Sequence, residues 1–142
     1  MTAVRLGADA LGFVSYMPSG PGVIDEGLIR TIAIRVPPPI ATFLLTSHQD
    51  TDAIIDQQRR CRVNTLQLVN DLPEGSHAKL RKALPGVSLV QVLHVRDYGV
   101  IEEARAIEQA VDAILLDSGN PDLAVKELGG TGRVHNWAIS RR

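Results

Sequence analysis

Several things are scarce in this chain, and each scarcity removes a class of function. Cys61 is the only cysteine, so no disulfide can close within the chain, and a reducing compartment, the cytoplasm by default, is expected. Aromatic residues are 4% of the total, too few for the stacking platforms that hold single-stranded nucleic acid. Neither sign of charge dominates: 15 Lys and Arg stand against 16 Asp and Glu, a formal net charge of -1. That balance supplies no basic field for nucleic acid and no polybasic anchor for a membrane surface. No apolar run reaches the length of a membrane span, and Met1-Thr2-Ala3-Val4-Arg5 lacks the charged-then-apolar design of a signal peptide. His48, His77, His94 and His135 show no HExxH or other ligand spacing, which argues against a metal site.

What the chain does have is aliphatic. Hydrophobic residues make up 44% of 142, enough for a single domain, residues 1–142, with a core of Val, Ile, Leu and Ala. Five short apolar runs recur: Ala8–Tyr16, Ile40–Thr46, Val63–Val69, Val87–Val95 and Val111–Leu116. Runs that short and that continuous suit the strands of a buried parallel sheet.

Helical periodicity fills the gaps. Leu28, Ile29, Ile32, Ala33 and Val36 form one stripe, with Asp25 placed to cap it. Ala53, Ile54 and Cys61 line a second, opened by the acidic Asp50 and Asp52. Leu80, Ala83 and Leu84 mark a third, stopped by Pro85-Gly86. Val100, Ala104, Ile107 and Val111 mark a fourth, on which Glu102 and Arg105 are spaced for an ion pair.

From the second run onward the strands begin roughly 24 residues apart, a regular alternation that means right-handed βαβ units. The step suits part of a (β/α)₈ TIM barrel, whose eight units take ~250 residues. A complete five-stranded doubly wound sheet is the alternative.

Both architectures place ligands beyond the carboxyl ends of the strands. Those ends read Ser15-Tyr16, Thr46-Ser47-His48, Asn70-Asp71, His94 and Asp117-Ser118, whereas the opposite ends read Gly7-Ala8, Pro39, Arg62, Pro85-Gly86 and Ala110. Asp117 is the most informative. It emerges from Ile114-Leu115-Leu116, where water is limited, and a shielded carboxylic acid suits proton donation. The competing reading is an aspartate that merely caps its own loop. Gly129-Gly130-Thr131-Gly132 either lets backbone amides approach an oxygen-rich ligand or is a plain flexible loop before a helix that Asn136 would cap. Ser19-Gly20-Pro21-Gly22 is a substrate-facing loop or a turn, the turn being favoured. Cys61 ends a helix and precedes a strand, which places it at the wrong end for chemistry and predicts a buried, inert thiol. His94 reaches the polar rim, where a satisfied structural histidine is the favoured reading.

These residues carry a family likeness. Gly7-Ala8-Asp9-Ala10-Leu11-Gly12-Phe13-Val14, followed by Tyr16, Pro18 and Ser19, resembles the second strand and its loop in phosphoribosylanthranilate isomerases. Leu66-Gln67-Leu68 resembles their fourth strand. Ile114-Leu115-Leu116-Asp117-Ser118, then Gly129-Gly130-Thr131-Gly132-Arg133 and Trp137, resembles their sixth strand and following loop.

The resemblance implies a barrel fold and an Amadori rearrangement of a small sugar phosphate, N-(5-phosphoribosyl)anthranilate, in tryptophan biosynthesis. No cofactor and no metal take part. Asp117 matches the general acid, and Gln67, Gly129, Gly130, Thr131 and Gly132 match substrate-binding positions. There are departures. The family's base, a cysteine ending the first strand, has no counterpart in these residues, nor do the phosphate loops of strands seven and eight. The usual arginine is replaced within Gly20-Pro21-Gly22, the usual histidine by Val69 and the usual lysine by Gln91. These departures lead us to expect a polypeptide that is inactive or impaired by itself, truncated at both ends relative to a barrel. Two exposed sheet edges would favour self-association. The alternative function is a non-catalytic, half-barrel-like interaction module pairing through those edges; a further one is a different sugar-phosphate enzyme assembled from two polypeptides.

Overall fold

A computed structural model describes residues 2–18, 22–118 and 134–141. Its strands are Ala10–Val14 (β1), Ala41–Thr46 (β2), Thr65–Leu68 (β3), Ser88–His94 (β4) and Ala113–Asp117 (β5). Its helices are Thr2–Arg5 (α1), Glu26–Ala33 (α2), Thr51–Cys61 (α3), Ser76–Ala83 (α4), Gly99–Ile107 (α5) and Trp137–Ser140 (α6). The first four strands fall inside their apolar runs, and β5 extends one residue past the fifth run, to Asp117. The helices start where the chemistry says they should. Asp25 accepts from the Gly27 and Leu28 amides, Asp50 from Ala53 and Asn136 from Ala138, each satisfying donors the helix cannot satisfy itself. Arg62 ends α3 in the left-handed region, at φ 59°. Three predicted stripes run past their helices: Val36 lies beyond α2, Leu84 caps the end of α4, and Val111 lies on the approach to β5, because apolar periodicity does not distinguish a helix end from the strand entry that follows it.

The strands pair in parallel in the order β1-β2-β3-β4-β5. A doubly wound sheet requires that order to reverse at a switch point, and it does not. Sequential order with the right-handed crossovers usual for such units puts the crossover helices α2 to α5 on one side and leaves the other side for a barrel interior. Among the described residues β1 and β5 do not pair, so the sheet is open.

The two faces of the sheet are sharply different. Successive side chains alternate, and the register carries one face across all five strands: Phe13, Leu44, Leu66, Leu89 and Ile114 belong to it. That face packs under α2, α3 and α4 through Ile29, Ile54, Cys61 and Leu80. Near β5 it packs under α5 and α6 through Leu93, Val100 and Ile139. Leu44, Leu66 and Leu89 are fully buried, each contributing roughly 1.5–3 kcal/mol by leaving water. The opposite face carries Ala10, Gly12, Val14, Phe43, Leu45, Gln67, Val90, Val92, His94, Leu115 and Asp117; its outer strands are open, with Leu115 38% exposed. No described helix is long and apolar enough to cross a membrane.

Polar links fasten the amino-terminal end of the sheet. Asn64 accepts from the Thr42 amide at 2.8 Å while the Thr42 hydroxyl accepts from the Asn64 amide at 3.0 Å. Asp112 accepts from the Leu89 amide at 2.7 Å and pairs with Arg81 at 2.8 Å, which holds its carboxyl below the usual carboxylate range, through Arg81 first and the Leu89 amide second. Glu26, bonded to Arg60 at 2.6 Å and to Gln57 at 3.1 Å, is lowered as well, chiefly by Arg60. The expected Glu102–Arg105 pair forms at 2.7 Å.

Candidate functional site

The carboxyl ends of all five strands share one rim, so Ser15, Thr46, Asn70, His94 and Asp117 lie on the same side of the sheet, as the strand reading required. Sharing a rim does not make them a site. Most of these groups fasten one strand end to the next. The Ser15 hydroxyl donates to the Leu45 carbonyl at 2.7 Å, Ser47 to the Tyr16 carbonyl at 2.8 Å, and the Asn70 amide to the Ser47 carbonyl at 2.7 Å. The Thr46 hydroxyl accepts from the His48 amide at 3.3 Å. Backbone that turns away from a sheet leaves polar groups needing partners, and this is how they are met.

Two rim residues are not used in this way. Asp117 is half-buried at the last position of β5, on the open face. One of its oxygens accepts from the Ser118 amide at 2.7 Å; no other described residue donates to the carboxylate. The loop-capping reading is thus met at one oxygen. His94, its register partner on β4, is 9% exposed, and neither ring nitrogen has a hydrogen-bond partner. The expectation of a satisfied structural histidine is thus corrected: the ring is buried but unsatisfied. His94 also lines a rim cavity of about 270 Å³ with Arg96, Asp97, Val100 and Glu103.

Gln67 lies on the same open face, between Leu45 and Val90 in the register. It shares the face with Asp117 but sits lower, since its row continues through Val90 to Ala113, four residues before Asp117. Gly129, Gly130, Thr131 and Gly132 lie outside the described residues, as do residues 19–21 of the earlier glycine loop.

A feature the sequence does not announce holds Ser118 in place. Its hydroxyl meets His135 Nδ1 at 2.9 Å, and His135 Nε2 meets the Ser140 hydroxyl at 2.7 Å. The ring also packs on Trp137, centroids 4.6 Å apart. This bridge ties the end of β5 to α6 directly behind Asp117.

Gln91 and Cys61 belong elsewhere. Gln91 faces the helices, with Nε2 3.1, 3.0 and 3.2 Å from the carbonyls of Leu68, Asn70 and Val92, and Oε1 3.0 Å from His77. It is a buried strap, not a rim group. Cys61 is fully buried in the helix–sheet core; burial first, then the nearby Glu26 charge, pushes its thiol up to about 11. Its assignment as an inert thiol at the far end stands.

The geometry is therefore a parallel sheet wound in one direction, with an aspartate and a histidine as register partners at its carboxyl rim. Known proteins share both the fold and the sequence. Over 141 residues the chain is 36% identical to N-(5'-phosphoribosyl)anthranilate isomerase 2 of Methanosarcina mazei, covering 99% of this chain and 62% of the relative. The chain is a homologue of the phosphoribosylanthranilate isomerases. It spans about three-fifths of the length of the curated relatives it matches. The crystal structure of the Thermotoga maritima isomerase superposes with a TM-score of 0.74 at 26% identity, over 96% of this chain and 62% of that one. An isomerase in complex with reduced 1-(o-carboxyphenylamino)-1-deoxyribulose 5-phosphate superposes with a TM-score of 0.69 at 25% identity, over 81% of this chain and 56% of that one. No protein-family model matches the chain. Against these isomerases the open sheet is a five-strand arc of a (β/α)₈ barrel, and its open face corresponds to the barrel interior.

Proposed function

We propose that this chain carries the general-acid half of a phosphoribosylanthranilate isomerase site. The observation that supports the reading best is the position of Asp117 at the carboxyl rim of the face that corresponds to the barrel interior. The proposed substrate is N-(5-phosphoribosyl)anthranilate, an aminoaldose. Asp117 gives its proton to the ring oxygen as the bond from that oxygen to C1 breaks, and the nitrogen lone pair forms the Schiff base. Loss of the C2 proton to a base then gives the enolamine, which becomes the aminoketose carboxyphenylamino-deoxyribulose phosphate. Each proton transfer is worth typically ~10²–10⁴ in rate. Gln67 and the 129–132 loop are the proposed substrate contacts, and the cytoplasm is the proposed location.

These 142 residues hold one thiol, and it lies at the far end of the sheet. We therefore expect the polypeptide by itself to bind ligand but to show no turnover above background. The test pairs calorimetric titration with the reduced product analogue, repeated on Asp117→Ala, with fluorescence-monitored consumption of phosphoribosylanthranilate. Binding that weakens in the variant supports the assignment; absence of binding sinks the isomerase reading. Turnover by the isolated polypeptide sinks the claim that a base is missing from it.

A second reading concerns the open face and the sheet's two ends. Among the described residues β1 and β5 each present an unpaired edge, though Val23 bridges to Val14 beside β1. Unpaired edges next to exposed Leu115 are templates for pairing, so we propose that the isolated polypeptide self-associates. Sedimentation giving a monomer at tens of micromolar would overturn it.

A further inference from the structure

The isomerase reading assigns Asp117 a proton and leaves its neighbour unexplained. His94 ends β4 as Asp117 ends β5, and the two are register partners. Adjacent strands run ~4.8 Å apart, and side chains of paired residues project to the same face. The residues on either side of His94, Leu93 and Val95, pack with α5 in the second core cluster. Alternation therefore assigns His94 to the open face with Val90, Val92 and Asp117.

A neutral imidazole offers one N–H donor and one lone-pair acceptor. Both nitrogens of His94 are shut off from solvent and unpartnered in a residue nine-tenths buried. A chain that needed only volume there could hold leucine without that penalty. The rim side chains of Ser15, Thr46, Ser47 and Asn70 have partners. The His94 ring is the rim group that is buried without one, and it ends the strand next to the acid.

We propose that His94 is a substrate-binding residue that hydrogen-bonds a sugar hydroxyl beside the ring oxygen that Asp117 protonates. A hydroxyl is the complementary group, since it both donates and accepts and so suits either ring nitrogen. The ring must turn toward the barrel axis to meet it, a side-chain change of the kind that commonly accompanies binding. The inference rests on the isomerase reading for the identity of the ligand, and on the buried, unpartnered ring for the role.

The experiment is an NMR titration of the 142-residue chain with the reduced product analogue, following the ring ¹⁵N resonances of His94 and the amide signals of Asp117 and Gln67. The expected result is that all three move along one saturation curve. His94→Leu should weaken binding about 3–10-fold, and His94→Gln, which keeps a donor and an acceptor, should recover part of that loss. If Asp117 and Gln67 respond while the His94 ring does not, the inference fails and the isomerase reading survives. If none of the three responds, both fail. Should His94→Leu not fold, the ring resonances of the unaltered chain still decide.

Discussion

His94 and Asp117 end adjacent parallel strands as register partners, yet no hydrogen bond joins them. The acid turns one oxygen to the Ser118 amide, and the histidine, beside it, has nothing.

One prediction concerns stability rather than binding. A buried donor or acceptor without a partner costs roughly 1–3 kcal/mol. His94→Leu, similar in volume, should therefore raise stability by about 1 kcal/mol, or roughly 2–6 °C in Tm for a chain of this size. Thermal denaturation showing a loss of more than 1 kcal/mol would mean that the ring has structural partners after all.

Asp117→Asn should leave the fold almost untouched. The asparagine Oδ1 still accepts from the Ser118 amide, so the change in stability should stay within about 0.5 kcal/mol. In a form of the protein that turns over, the same variant should lower kcat by about 10²–10⁴ with little effect on KM. Equal loss in kcat and in Tm would point to a purely structural carboxylate.

Cys61 should resist thiol reagents. It is fully buried and its thiol is raised to about 11, so at pH 8 the thiolate is both scarce and inaccessible. Labelling should follow global unfolding, appearing only as denaturant crosses the transition. Rapid labelling in native buffer would place Cys61 outside the core.

Acid should weaken the α2–α3 link made by Glu26 and the strand-end link made by Asp112. Glu26 and Asp112 both have folded-state values below the ordinary ones, held there by Arg60 and by Arg81 with the Leu89 amide. For a lowered carboxylate the stabilisation is complete above the unfolded-state value. It is lost as pH falls from about 5 through the folded-state value. Solvent screening of these partly exposed pairs keeps each below about 1 kcal/mol. Glu26→Gln and Asp112→Asn should each flatten the fall in stability between pH 5 and 3; an unchanged slope would show that the pairs contribute nothing.

Much of the fold is legible before any coordinates. The five strands, the caps Asp25 and Asn136, the acidic helix start at Asp50 and Asp52, the Glu102–Arg105 pair and the burial of Cys61 all follow from short-range rules. A cap acts on amides two or three residues away, and a strand's burial shows in its own composition. The place of Asp117 at the carboxyl rim is legible too, from the aliphatic run before it. His94 was read as a satisfied histidine because the usual fate of a buried histidine is to find a partner. The Ser118–His135–Ser140 unit has no such signal, since the Ser118–His135 contact spans 17 residues with no spacing rule to mark it.

Local patterning thus decided which residues form strands and helices and which ends of the strands carry polar groups, since neighbours along the chain suffice for both. The choice between a barrel arc and a doubly wound sheet, the partition of Gln91 to one face and Gln67 to the other, and the isolation of the His94 ring belonged to the tertiary structure. Each depends on strand order and register, which are set by contacts between segments far apart in the chain and leave no periodicity within any one of them.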